Sequence, residues 1–131
     1  MMTLILLVAA ITTSPWPNLQ HHWAPLLSTA NERVDIDTAA IETLTPDIRR
    51  VWLRWNLDAA TDKQIGADPQ YELEHRDLDC AQHQTRVIEK RRITPTAGAG
   101  GMGETLSSSE TAWHRPAAGS LLDQVLNAGC R

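Results

Sequence analysis

Phenylalanine is absent from this 131-residue chain, and tyrosine occurs once. An apolar core must therefore rest on Leu, Ile and Val, with five Trp as almost the only large rings. An excess of positive charge is missing too. Twelve Lys and Arg face 16 Asp and Glu, for a formal net charge of −4, so no global attraction to nucleic acid or anionic lipid is expected. No Gly-x-Ser-x-Gly elbow is present, and no positioned acid accompanies Ser107, Ser108, Ser109 and His114, which removes the usual support for a serine hydrolase. The glycine-rich stretch from Gly98 to Gly103 lacks a following Lys-Ser or Lys-Thr and reads as a flexible hairpin loop, not a phosphate loop.

What is present fits one globular domain. At 42% hydrophobic and 21% charged residues, the chain is too apolar for disorder. It opens on an apolar run, Met1 to Ile11, with the length of a signal-peptide core and too short to span a bilayer comfortably. No Lys or Arg precedes it and no Ala-x-Ala site follows it, so a buried N-terminal strand is the alternative. We expect residues 1–20 to be signal peptide and linker, with cleavage between Ala10 and Gln20, and residues 21–131 to be the mature domain. No Cys follows the run closely, so no lipid-attachment site is expected there.

Only two cysteines occur, Cys80 and Cys130. In an exported chain they most simply form one disulfide tying the C-terminal tail to the sheet, the alternative being two unrelated buried thiols. Closing a loop of about 50 residues stabilises by roughly 4 kcal/mol in the chain-entropy model.

The stretch that organises the rest is Arg49 to Leu57. Val51, Leu53, Trp55 and Leu57 alternate with Arg50, Trp52, Arg54 and Asn56, the period of two that marks a strand with one buried face. Before it, His22 to Leu27 is a strand confined by Pro25 to an edge or a bulge. Arg33 to Asp37 alternates with Val34 and Ile36 inward, and Asp37 to Ile41 has the form of one helical turn capped by Asp37. Asp58 to Pro69 is a polar loop. Glu72 to Cys80 is a strand whose apolar parity changes between Leu73 and Leu78, which predicts a bulge or an edge position. Thr85 to Thr94 pairs with it across a hairpin, and Glu104 to Ser109 is a last strand. Ser120 then caps a helix whose Leu121, Leu122, Val125 and Leu126 share a face, stopped by Gly129. The fold class is α+β: an antiparallel sheet of about five to six strands packed by one C-terminal helix.

Several residues invite chemistry. His75, Asp77 and Asp79 share a strand face near His83, which a metal could use, but a half-solvated sheet gives the same pattern and no metal or cofactor is expected. Arg86, Lys90 and Arg92 share a face with Ile88 and form the candidate ligand-binding patch. The bland alternative is a strand kept soluble by charge.

Taken in order, Val34-Asp35-Ile36-Asp37, Ile41, Arg49-Arg50-Val51-Trp52, Leu78-Asp79-Cys80, Arg86-Val87-Ile88, Leu106 to Ser109, Trp113, Pro116, Gly119-Ser120 and Cys130 resemble the bacterial surface-adhesin protein E family, which are small exported envelope proteins. The similarity runs from about Trp23 to Cys130. It implies an antiparallel sheet covered by a helix, a Cys80–Cys130 bridge and no catalytic site. The family also includes a host-matrix-binding surface lipoprotein, so host extracellular-matrix or serum proteins are the implied partners. A periplasmic or secreted accessory protein with no adhesive role is the other reading.

Overall fold

The computed structural model describes residues 21–30, 32–56, 71–94 and 101–131. The expected leader and linker, the polar loop from Asp58 to Pro69 and the end of the central stretch at Leu57 lie outside these residues. So does the first part of the glycine-rich loop.

Five longer strands and two short ones form a single antiparallel sheet. They are β1 (Trp23–Ser28), β2 (Arg33–Asp37), β3 (Glu42–Thr43), β4 (Ile48–Asn56), β5 (Tyr71–Asp79), β6 (Gln84–Ile93) and β7 (Met102–Gly103). Their order is β1-β2-β4-β5-β6-β7, with β3 beside β4. β1 is the edge that Pro25 predicts, and its register with β2 shifts between Pro25 and Leu27. Two helices follow, α1 (Ser108–Thr111) and α2 (Leu121–Gly129), and the α+β expectation holds.

Register sorts the side chains. Val34 and Ile36 oppose Trp55 and Leu53, while Leu78 opposes Arg49. With Val51, these residues form one face, and α2 lays Val125 and Leu126 on it. Leu26, Leu27, Trp55 and Cys130 pack around that cluster. Burying a Leu or Val side chain contributes about 1.5–3 kcal/mol, so this helix-covered face is the main source of cohesion.

Four local expectations need correction. Trp52, read as solvent-facing, is 4% exposed: both faces of β4 are covered at its centre. The parity change in β5 has the same origin. β5 is an interior strand in regular register with β4, with Leu73 and Leu78 buried on opposite faces, so the edge alternative fails, while the bulge alternative is met in its pairing with β6, whose register shifts between His75 and Arg76. The stretch from Asp37 to Ile41 is a turn leading into β3, because the Asp37 carboxylate accepts bonds from the backbone N–H groups of His22 and Ala39 and closes an Asx-type turn. Glu104 to Ser109 is not a strand. Ser107 begins α1, its side chain accepting from the Glu110 N–H while Glu110 reaches back to the Ser107 N–H.

The C-terminal helix agrees with its sequence signals at the start and differs at the end. The Ser120 hydroxyl accepts the Asp123 N–H at 3.2 Å. Gly129 lies inside α2, and its role is close approach: a Cβ there would meet Leu78 Cδ1 at 2.6 Å. Cys130 follows as the C-cap and bonds to Cys80, joining the end of α2 to the end of β5. Arg49 strengthens that corner by donating to the carbonyls of Gly129 and Arg131.

Candidate functional site

The three basic residues of the candidate patch all lie on β6, yet they do not share a face. Pairing of β5 with β6 shifts between His75↔Glu89 and Arg76↔Val87, leaving Ile88 as the extra residue of a bulge. Arg86 therefore sits with Asp77 on the sheet face away from α2, whereas Lys90 and Arg92 oppose Glu74 and Glu72 on the helix-covered side. The sequence pattern assumed an unbroken period of two, and one inserted residue inverts everything after it.

On the helix-covered side, Lys90 is held among carboxylates. Its Nζ contacts Glu110, Glu72 at 3.4 Å and Glu74 at 3.9 Å. Burial pulls the ammonium pKa down, but the Glu110 bond and the charges of Glu74 and Glu72 outweigh it and the net shift is upward. The Lys90 bond pushes Glu110 down to about 2, helped by the Ser107 N–H. Glu72 moves the other way, raised by burial against the pull of Lys90. Arg92 is the most open of the three, its side chain 44% exposed, and its Nε donates to Glu104 at 3.0 Å. Deeper in, Arg76 bonds Glu74 at 2.5 Å and the Thr85 hydroxyl at 3.1 Å.

The opposite face is built differently, from aspartates that each hold two arginines. Asp77, fully buried, accepts Arg50 Nε at 2.7 Å and Arg50 Nη2 at 3.1 Å, and Arg86 Nε at 3.0 Å. Asp35 accepts Arg33 Nε at 3.0 Å and Arg54 Nη2 at 2.8 Å. Burial opposes ionisation of Asp77, but its bonds to Arg50 and Arg86 outweigh that and keep the carboxyl below the ordinary value. Rings flank the guanidiniums. Arg54 lies 4.9 Å from the Trp23 ring and 5.1 Å from Tyr71, and Arg86 lies 4.5 Å from Trp113. Between the two nodes Trp52 stacks on His75 at 4.2 Å. Burial first, then the Arg50 charge, lowers the His75 pKa.

The other sequence candidates separate into structural roles. His75 stacks on Trp52, Asp77 pairs with Arg50 and Arg86, and Asp79 caps the hairpin through the N–H groups of Ala81 and Gln82. His83, at φ +55°, reaches Asp123 at the start of α2. Among the described residues, no group of three or more His, Cys, Asp or Glu is placed to hold a metal ion. Ser107 serves the α1 cap, and His114 pairs with Thr85 through its backbone. Among the described residues, no helix is long and apolar enough to cross a membrane. The paired-arginine nodes were not found from sequence. A signal did exist: Arg50, Trp52 and Arg54 on one parity of β4 place charge and ring together.

Residues 23–131 match a family model described as surface-adhesin protein E. No curated protein and no solved structure matches the chain.

Proposed function

Because the chain belongs to the surface-adhesin protein E family, we propose that it is an exported, non-enzymatic envelope protein that binds host matrix or serum proteins. In this reading residues 1–20 are the leader and linker, and residues 21–131 are the functional domain. The observation that carries it is the family match, which spans every described strand and both helices. The Cys80–Cys130 disulfide supports an oxidising compartment, where such bonds persist. Lys90 and Arg92 are the proposed contacts from the helix-covered side of β6, and Arg86 is the contact from the other side. A protein partner therefore engages the β6 margin of the sheet rather than one flat patch.

The test is binding of intact cells to immobilised matrix proteins, with protease shaving to establish display. Shaving that removes the protein, and a clear loss of matrix binding in Lys90→Glu/Arg92→Glu, are expected. A protein that survives shaving on intact cells supports the second reading, a periplasmic or secreted accessory protein with no adhesive role.

A further inference from the structure

Met102 is the most exposed large hydrophobic side chain among the described residues, at 64% against 44% for the next, Ile41. Its backbone setting holds it there. Gly101, at φ +68°, lies so close to β6 that a Cβ would meet the Arg92 carbonyl oxygen at 2.6 Å. The next residue, Met102, starts β7 at the end of the strand order and stands directly opposite Arg92. Residues paired in this way carry their Cβ atoms about 4.5–5.5 Å apart on one side of the sheet. Arg92 donates Nε to Glu104 at 3.0 Å and Nη2 to Glu72 at 3.5 Å. Its Nη1 has no acceptor among the described residues. An exposed thioether, itself only a weak acceptor, therefore stands beside an unused guanidinium donor. Met1 and Met2 fall in the proposed leader, so Met102 is the one thioether of the proposed functional domain. Cys80 and Cys130 are joined, which removes the thiols that oxidants otherwise attack.

We propose that Met102 is an oxidation site whose sulfoxide captures Arg92. The oxidant is a peroxide. The sulfur lone pair attacks one peroxide oxygen and the O–O bond breaks. The second oxygen leaves as hydroxide, takes the proton of the first and becomes water. Sulfur loses two electrons, the peroxide gains them, and the transferred oxygen stays on sulfur as the sulfoxide. That oxygen is a polar acceptor, and the register brings it within reach of the free Nη1 of Arg92. Oxidation thus turns an apolar margin of the sheet polar and engages a guanidinium that the matrix-protein reading assigns to the partner. Both changes weaken a partner contact at β6. The inference rests on that reading for this last consequence alone, and the chemistry at sulfur stands without it.

The test treats the full chain with hydrogen peroxide. It is read by peptide mass mapping, by the NMR signal of the Arg92 Nε–H, and by binding to immobilised matrix proteins. Met102 is expected to gain one oxygen before any Trp is oxidised. The Arg92 signal should shift on oxidation, return after treatment with methionine sulfoxide reductases, and stay still in peroxide-treated Met102→Leu. Matrix binding should fall about tenfold or more with the same reversal, while binding by Met102→Leu should be the same before and after peroxide. Trp oxidised ahead of Met102, or a sulfoxide that leaves the Arg92 signal unmoved, would overturn the proposal. So would equal weakening of matrix binding by peroxide in the native and Met102→Leu chains. Absence of matrix binding by the untreated chain sinks the matrix-protein reading instead, and the mass map and the Arg92 signal still decide this one.

Discussion

The two faces of the sheet are buried by different means. On one, α2 seals an aliphatic cluster of Val34, Ile36, Val51, Leu53 and Leu78. On the other, Trp52 stacks on His75, and the buried Asp35 and Asp77 are each held by two arginines. Neighbours on β4 show the contrast: Leu53 is fully buried on the helix side, and Trp52 is almost as buried on the other, where it stacks on His75. Similar burial therefore arises once from apolar packing and once from electrostatic assembly. The first kind should be costly to truncate and indifferent to pH, the second cheaper to trim at its rim and sensitive to acid.

The largest test removes what holds the helix against the sheet. Replacing both cysteines by serine should cost roughly 4 kcal/mol in chemical denaturation, as expected for a loop of about 50 residues, and a loss below 1 kcal/mol would show that α2 packing alone suffices. Next comes Leu53→Ala, expected to cost about 3 kcal/mol within the 2–5 range for core truncation. Arg33→Gln on the opposite face should stay within about 0.5 kcal/mol, since Arg33 is half exposed and Asp35 keeps Arg54. Equal losses would erase the distinction between the faces.

Acid provides the finer test. Asp77 and Asp37 have folded pKa values below their unfolded ones. Their contribution is fully present above about pH 4 and is lost as pH falls through the lower folded values. Glu110, at about 2, acts in the same direction. Glu72, raised by burial, acts oppositely, its protonation relieving the folded state. His75 is depressed, so its contribution is complete above about pH 6.5 and declines below that. Stability should therefore fall in two stages on acidification, and Asp77→Asn should flatten the lower one. An unchanged lower stage in that variant would place the acid sensitivity elsewhere.

Much of this was legible in the residues. The alternation of Val34 and Ile36 and of Val51, Leu53 and Trp55 located the helix-covered face. Ser120 with the Leu and Val spacing located α2, and the cysteine pair located its tether. Trp52 was misplaced because alternation reports one buried face and is silent when side chains from the same sheet cover the other. The α1 turn was missed although Ser107 and Glu110 stand at capping-box spacing, since four residues are too few for a periodic signal. Gly129 was read as a stop signal, but its cause is the Leu78 methyl beside it, a long-range contact that no local pattern contains.

The bulge at Ile88 has one more consequence, for how the gene can change length. Because two residues there occupy the place of one, Ile88 can be deleted without turning any flanking side chain to the other side: Val87 stays opposite Arg76, and Glu89 stays opposite His75. Its side chain is 38% exposed, so little packing leaves with it. Loss of a codon elsewhere in β5 or β6 would invert one flank of the strand. At Ile88 it would only straighten it, making this a point in the sheet where an in-frame deletion is expected to pass as a neutral variant.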